Sequence, residues 1–380
     1  MHRAVVALLL WLVLGAAKPV CCHSAGGGLG DQPVTITTLE GALQPRLATT
    51  VAGSVFCTFG AGEDIFWNQL EPGENPRFTE PQRIASVPKL ALGRRRGPRL
   101  AVIDNVMVVT AISHQTGQLL SWRSEDQGKQ WSEQVTVNVP GDSAKEGLHA
   151  MAAHPDGTLA CIWLDNRDKQ MEVYGAISRD QGKTWQPDQR LYRSPDGSIC
   201  ECCHPNLVAD PAGGWHVTWR NSLKGNRDMY YCHWNQDATV AEALPIGTGH
   251  WELNQCPMAG GDLAVSERSD QPISVWRRGA VIFYSPKLGQ ELMVSPGESP
   301  VLASCQEQVR LFFVNRRGGK LQMLDPENPE SKPELVAEKV ADPTVLSLKD
   351  QWLLTWESTQ GKQASLMMKV IPVSTTPEQD

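Results

Sequence analysis

LHAMAAHPDGTLACIWLDNRDKQMEVYGAISRDQGKTWQPDQRLY, residues 148–192, decides how this chain is read. A short apolar strand runs to a turn at Pro155-Asp156-Gly157, and a second strand climbs to Trp163 and Asp165. A third strand follows, then a polar turn from Ser178 to Trp185, then a fourth strand. Apolar and β-branched runs punctuated by Asp-Gly and Pro-Asp turns mark short antiparallel strands.

The same element recurs on both sides. PRLATTVAGSVFCTFG begins at Pro45 and PRLAVIDNVMVVTAIS at Pro98. HPNLVADPAGGWHVTWRN begins at His204, CPMAGGDLAVSERSDQPISVWRRG at Cys256, SPVLASCQEQVRLFFVNRRG at Ser299 and DPTVLSLKDQWLLTWES at Asp342. A repeat of roughly 40 to 55 residues built from short strands is the pattern of radial repetition. The chain is expected to be all-β, a single β-propeller of four-stranded blades. Seven inner hairpins can be laid end to end; six blades is the alternative if the first unit is incomplete. The last unit lacks its own outer strand, and PVTITTL from Pro33 is placed to supply it and close the ring, leaving no free sheet edge.

The 380 residues thus form one domain. Residues 1–17, with a basic start, an apolar run and small residues at Gly15-Ala16-Ala17, read as a secretory signal peptide. Residues 18–32 read as a flexible leader, 33–373 as the propeller and 374–380 as a polar tail. The expected location is periplasmic or secreted, with no membrane span. A net charge of −7 and the absence of a basic stripe with interleaved aromatics argue against nucleic acid. A monomer is expected. The ten cysteines lie beyond the cleavage site, in a compartment that permits disulfides. Cys57, Cys161 and Cys232 fall inside strands and read as small buried apolar residues.

Ser124-Glu125-Asp126-Gln127-Gly128-Lys129-Gln130-Trp131 and the stretch from Ser178 to Trp185 follow the pattern S-x-D-x-G-x-T-W, with Gln130 in place of Thr in the first. On these Asp-boxes the chain resembles the sialidase (BNR-repeat) superfamily of propellers. It is also similar to bacterial secreted sialidase-like proteins that carry a Cys-x-Cys-Cys loop and a later Cys-Pro, here Cys200 to Pro205 and Cys256-Pro257. The resemblance implies a structural role for Asp126 and Asp180, on the face opposite the active site. It further implies an arginine clamp on a substrate carboxylate, a tyrosine nucleophile and an aspartate acid/base. Asp165 and Tyr284 are the candidates for the last two, and an exo-acting glycoside hydrolase on anionic glycans is the implied activity. The Arg-Ile-Pro signature of that family is missing near the first unit, where Arg46-Leu47 and Arg99-Leu100 stand instead.

Strand alternation sends the starts of first strands and the ends of second strands to one mouth. Arginine recurs there: Arg46, Arg99, Arg167, Arg220, Arg277 and Arg316, with Arg227 opening a third strand. Guanidinium forks suit an acidic ligand, and Arg99, Arg167, Arg220, Arg227 and Arg277 are the candidate anion-binding set. Pairing with Asp165, Asp228 and loop carbonyls is the competing role.

A second set is soft. Cys200, Cys202, Cys203 and His204 enter the fourth unit, Cys256 and Met258 the fifth, and His149 and Met151 the third. Thiolate and thioether donors select a soft ion, copper in the cuprous state above all, so metal binding by this patch is the leading expectation. A disulfide from Cys200 or Cys202 to Cys256 is the alternative. A ligand- or partner-binding propeller without chemistry is the third reading.

Overall fold

The computed structural model of the chain describes residues 32–73, 76–266, 271–348, 350–359 and 365–373. The signal-peptide reading, the leader up to residue 31 with Cys21-Cys22-His23, and the 374–380 tail lie outside the described residues.

Strands alone make up the regular structure. β1 (Val34–Thr37) opens it. β2 (Ala42–Thr49), β3 (Val55–Ala61) and β4 (Asp64–Glu71) form a meander, with β5 (Arg77–Phe78) and β6 (Gln82–Ser86) both on β4. Four meanders of four strands follow. They are β7 (Arg99–Ile103), β8 (Val106–Ile112), β9 (Leu119–Ser124) and β10 (Val135–Thr136); then β11 (His149–Ala153), β12 (Leu159–Asp165), β13 (Glu172–Ser178) and β14 (Gln189–Tyr192). Next come β15 (Asn206–Ala209), β16 (Trp215–Arg220), β17 (Met229–Trp234) and β18 (Leu244–Pro245), and β19 (Gly261–Ala264), β20 (Ile273–Arg278), β21 (Val281–Ser285) and β22 (Leu292–Pro296). The last sheet holds β23 (Glu298–Cys305), β24 (Gln308–Val314), β25 (Gly319–Leu324), β26 (Glu334–Ser347), β27 (Gln351–Ser358) and β28 (Ser365–Pro372), with β1 against β28.

Two features of that sheet matter. β26 serves twice, pairing β25 up to Val340 and β27 from there on, with a register shift between Ala341 and Thr344. β1 pairs antiparallel with β28, Thr35 opposite Met367, so the two ends of the described chain share one sheet. The innermost strands touch in sequence order, β2 to β7, β11, β15, β19, β23 and β26, and β26 touches β2 again.

Second strands carry continuous apolar runs because sheets cover them on both faces. Every residue of β8 and β12 is buried. Cores form between successive sheets: Ile112 and Leu119 meet Cys161, Trp163 and Tyr174, and Ile162 and Leu164 meet Trp215 and Trp219. Cys57, Cys161 and Cys232 are buried free thiols, and burial raises all three, Cys161 and Cys232 to about 12.

The Asp-box turns close the third-to-fourth strand connections. Asp126 Oδ1 accepts from the Gln130 N–H at 2.9 Å, and Asp180 accepts from the Thr184 N–H at 2.8 Å and its hydroxyl at 2.6 Å. Gly182 sits at φ +80°, and a Cβ there would lie 2.7 Å from Val108 of the preceding sheet. Only glycine offers both the left-handed backbone and that close approach.

Candidate functional site

A cavity of about 250 Å³ lies where the innermost strands begin. β2 gives it Arg46, β7 gives Arg99, β11 gives His149 and Met151, β15 gives Asn206, β19 gives Asp262, β23 gives Val301 and β26 gives Thr344; the loops add Arg95 and His204. The repeat fixes this convergence, because each first strand starts at the same end of its sheet.

Charge is unbalanced there. Arg46, Arg95 and Arg99 share the lining with one carboxyl, Asp262, while Asp342 and Glu357 act on Arg46 from beyond it. Burial and then the Arg95 charge lower Arg46 to about 10. Burial, then Arg46 and Arg95, pull Arg99 down. Burial pushes the Asp262 carboxyl up, although it accepts from the Leu302 N–H at 2.8 Å, the Leu263 N–H at 3.1 Å and the Asn206 amide. His149 and His204 are held neutral by burial and by the same arginines. Two polar atoms at this cavity, Arg46 Nε and His149 Nδ1, are buried with no hydrogen-bond partner. An orphaned buried donor costs about 1–3 kcal/mol, so an unsatisfied pair beside an excess of cations points to a ligand group.

The arginines separate into two kinds. Arg99 spends its donors on the carbonyls of His149, Gly97, Pro98 and Arg95. Arg220 spends its own on Ala259, Arg227 and Arg277, with its guanidinium 5.0 Å from the Trp251 ring centroid. Arg277 donates to Gly279 and Pro257. Arg167 bridges Asp165 and Asp188 at 2.8 and 2.7 Å and stacks on Tyr174. Arg227 lines a separate cleft of about 380 Å³ with Asp228 and His250. At the cavity Arg46 Nε has no partner, while Arg95 gives Nη1 to the Pro343 carbonyl at 2.7 Å and Nη2 to that of Ser299 at 3.4 Å. Arg95 escaped the sequence reading; its signal is the run Gly93-Arg94-Arg95-Arg96-Gly97, where Arg94 and Arg95 take left-handed φ values of 50° and 69° ahead of β7.

The candidate catalytic pair is not brought together. Asp165 is fully buried and accepts from Ser143 at 2.6 Å, Trp163 Nε1 at 2.7 Å and Arg167, which makes it the anchor of a loop. Tyr284 lies near the far end of β21, buried among Leu302, Val309 and Leu311, with its hydroxyl donating to Glu327 at 2.9 Å. Neither lines the cavity. The sequence reading also missed a carboxyl pair at the rim. Asp342 and Glu357 both accept from Arg317 Nη2, at 2.8 and 3.4 Å, and Gln44 Nε2 binds Glu357 at 2.7 Å. Burial and then the Asp342 charge push the Glu357 carboxyl up.

The cysteine loops do meet. Cys202 and Cys256 form a disulfide with Cα atoms 6.3 Å apart, stapling the loop before β15 to the loop before β19. In this form neither offers a thiolate. Cys200 and Cys203 stay as buried thiols with Sγ atoms 2.9 Å apart. The Cys203 S–H hydrogen bond leads the lowering of Cys200 to about 7, with Arg220 assisting, while burial raises Cys203. The Sγ atoms of Cys200, Cys202 and Cys203 lie within 4.8 Å of one another. Met258 is exposed on the rim with Arg94 and Arg317, whereas His149 and His204 belong to the arginine cavity.

No family model matches the chain, and no curated protein matches it in sequence. Solved structures do match. The α-L-arabinanase of Penicillium chrysogenum is 12% identical, with a TM-score of 0.54 over 90% of this chain and 97% of that one. An α-L-arabinofuranosidase of Fusarium graminearum is 12% identical, with a TM-score of 0.53 over 90% and 97%. A polysaccharide lyase is 9% identical, with a TM-score of 0.55 over 95% and 94%. What the chain shares with them is the fold, a β-propeller. Among the described residues no helix is long and apolar enough to cross a membrane.

Proposed function

We propose that this chain is a secreted or periplasmic seven-bladed, ring-closed sialidase-like propeller that binds an anionic glycan by its carboxylate in the axial cavity. The blade count rests on the double use of β26, the β1–β28 pairing and the return of β26 onto β2. The observation that carries the ligand is the excess of arginine over carboxyl around an unpartnered Arg46 Nε. A carboxylate between Arg46 and Arg95 would satisfy the orphaned donor and offset the mutual repulsion of the cations, through charge-assisted hydrogen bonds worth roughly 1.5–3 kcal/mol each.

Calorimetric titration with sialic acid, a uronic acid and a neutral hexose tests this. The acidic sugars should bind and the neutral one should not, and Arg46→Leu should weaken acidic-sugar binding by about 10- to 100-fold. Equal binding of acidic and neutral sugars, or an unchanged Arg46→Leu protein, refutes it. A fluorogenic sialoside assay adds the hydrolytic arm. Tyr284 lies outside the cavity, so any turnover should survive Tyr284→Phe.

A second reading is favoured by the thiols. Two close thiols, one with a pKa of about 7, offer soft donors suited to cuprous copper, with Cys200 and Cys203 as ligands. Reduced protein should then take up about one equivalent of Cu(I). Uptake unchanged in the Cys200→Ser, Cys203→Ser double variant ends that reading.

A further inference from the structure

The opposite end of β16 carries a separate constellation. Asp210 sits in the turn between β15 and β16, His216 is the second residue of β16, and His233 faces it across the ladder on β17. Arg220, at the other end of β16, reaches the carbonyls beside the cysteine loops, so this cluster lies away from both the arginine cavity and the thiols. Asp210 Oδ2 is 2.9 Å from His233 Nε2 and 3.5 Å from His216 Nε2. The three ligand atoms lie within 4.8 Å of one another. Two ligands each about 2.0–2.1 Å from a tetrahedral zinc ion stand about 3.3 Å apart, so the two spacings from Asp210 need adjustments of a few tenths of an ångström.

The outward-facing nitrogens are already committed. His216 Nδ1 is 2.8 Å from the Tyr231 hydroxyl, and His233 Nδ1 is 3.0 Å from Asn235 Oδ1. Asn235 cannot be read the other way round, because its Nδ2 donates to Thr239 Oγ1 at 2.8 Å and to the Thr239 carbonyl at 3.3 Å. His233 Nδ1 therefore faces its acceptor as a donor, which leaves Nε2 as the ring nitrogen turned to Asp210 beside His216 Nε2. A metal-ligating imidazole with its other nitrogen held by a fixed partner is the usual construction of such sites.

We infer that Asp210, His216 and His233 bind a divalent transition metal ion, zinc above all. Two imidazoles and a carboxylate suit a borderline ion, not the soft ion that thiolates would select. His216 is buried, while the His233 side chain is 22% exposed and Asp210 13% exposed, which leaves a path for the ion and for a water as fourth ligand.

The test is metal content by plasma mass spectrometry after chelator dialysis and addition of zinc sulfate. It is carried out on the Cys200→Ser, Cys203→Ser protein so that this thiol pair contributes nothing. About one equivalent of zinc should be retained. His233→Ala should bind at least about 100-fold more weakly, and Tyr231→Phe about 10-fold more weakly through loss of its hold on His216. Cobalt should give the visible bands of a four-coordinate site in the parent and lose them in His233→Ala. Should His233→Ala fail to fold, Asp210→Asn reads the same loss. Absence of zinc uptake, or uptake that survives both His233→Ala and Asp210→Asn, overturns the assignment.

Discussion

Two arginine clusters, read alike in the sequence, differ in what balances them. Arg167 sits between Asp165 and Asp188, with hydrogen bonds to both and Tyr174 under its guanidinium. Arg46, Arg95 and Arg99 gather at the starts of the inner strands around Asp262, with Asp342 and Glu357 farther out. The first cluster is closed, each charge answered within 3 Å by the protein itself. The second is open, with Arg46 Nε buried and unanswered. An arginine near a mouth therefore says little until its counter-charges are counted. Where the fold supplies the carboxylate the arginine is a bolt, and where the fold withholds it the arginine awaits a ligand.

The contrast is sharpest in the closed cluster. Asp165→Asn deprives Ser143 and Trp163 of a carboxylate acceptor while Arg167 stays paired with Asp188, and should cost about 1–3 kcal/mol in urea unfolding while leaving acidic-sugar affinity unchanged. A loss of affinity without loss of stability would break the distinction and restore Asp165 to the site. In the open cluster the pattern reverses. Arg46→Leu should lower acidic-sugar affinity and raise stability by up to about 1 kcal/mol, since it removes a cation whose burial outweighs the pull of Asp262, Asp342 and Glu357. A marked destabilisation would mean that Arg46 is as structural as Arg167.

The smallest effect is a pH dependence of opposite sign at the two carboxyls. Burial opposes ionisation of Asp165, but hydrogen bonds from Arg167, Ser143 and Trp163 outweigh it and hold the pKa below the usual range. Asp165 therefore contributes stability that is present above its unfolded pKa and lost as pH falls through the folded value. Burial holds Asp262 above the usual range, so its contribution is present below the unfolded pKa and lost as pH rises through the folded value. Urea midpoints measured between about pH 3 and pH 6 should rise less steeply in Asp165→Asn and, by under about 1 kcal/mol, more steeply in Asp262→Asn. Equal slopes in the two variants would show that the clusters do not differ in this way.

Much of the fold was legible because strands and turns are written locally. Ser124 to Trp131 and Ser178 to Trp185 form the expected turns, with Asp126 and Asp180 accepting within them. The N-terminal strand at Pro33 was recognisable as a partner for the last one, since a polar tail followed Val373. The site was less legible. Arg95 and Asp262 carry no local mark of their partners, and Asp342 and Glu357 meet across the open end of the β26–β27 hairpin with nothing in their spacing to show that Arg317 and Gln44 would join them. Asp165 and Tyr284 matched by residue type alone, and neither reaches the cavity.

By itself the sequence determined the strand-and-turn repeat, and through it which residues stand at the start of an inner strand, because apolar alternation and Asp-Gly turns act over a few residues. Tertiary structure alone decided which of those residues share a cavity, which arginines are satisfied, and that Cys202 meets Cys256 while Cys200 meets Cys203. The physical reason is that charge balance and sulfur pairing are sums over neighbours from separate sheets, and packing of the sheets around the axis chooses those neighbours.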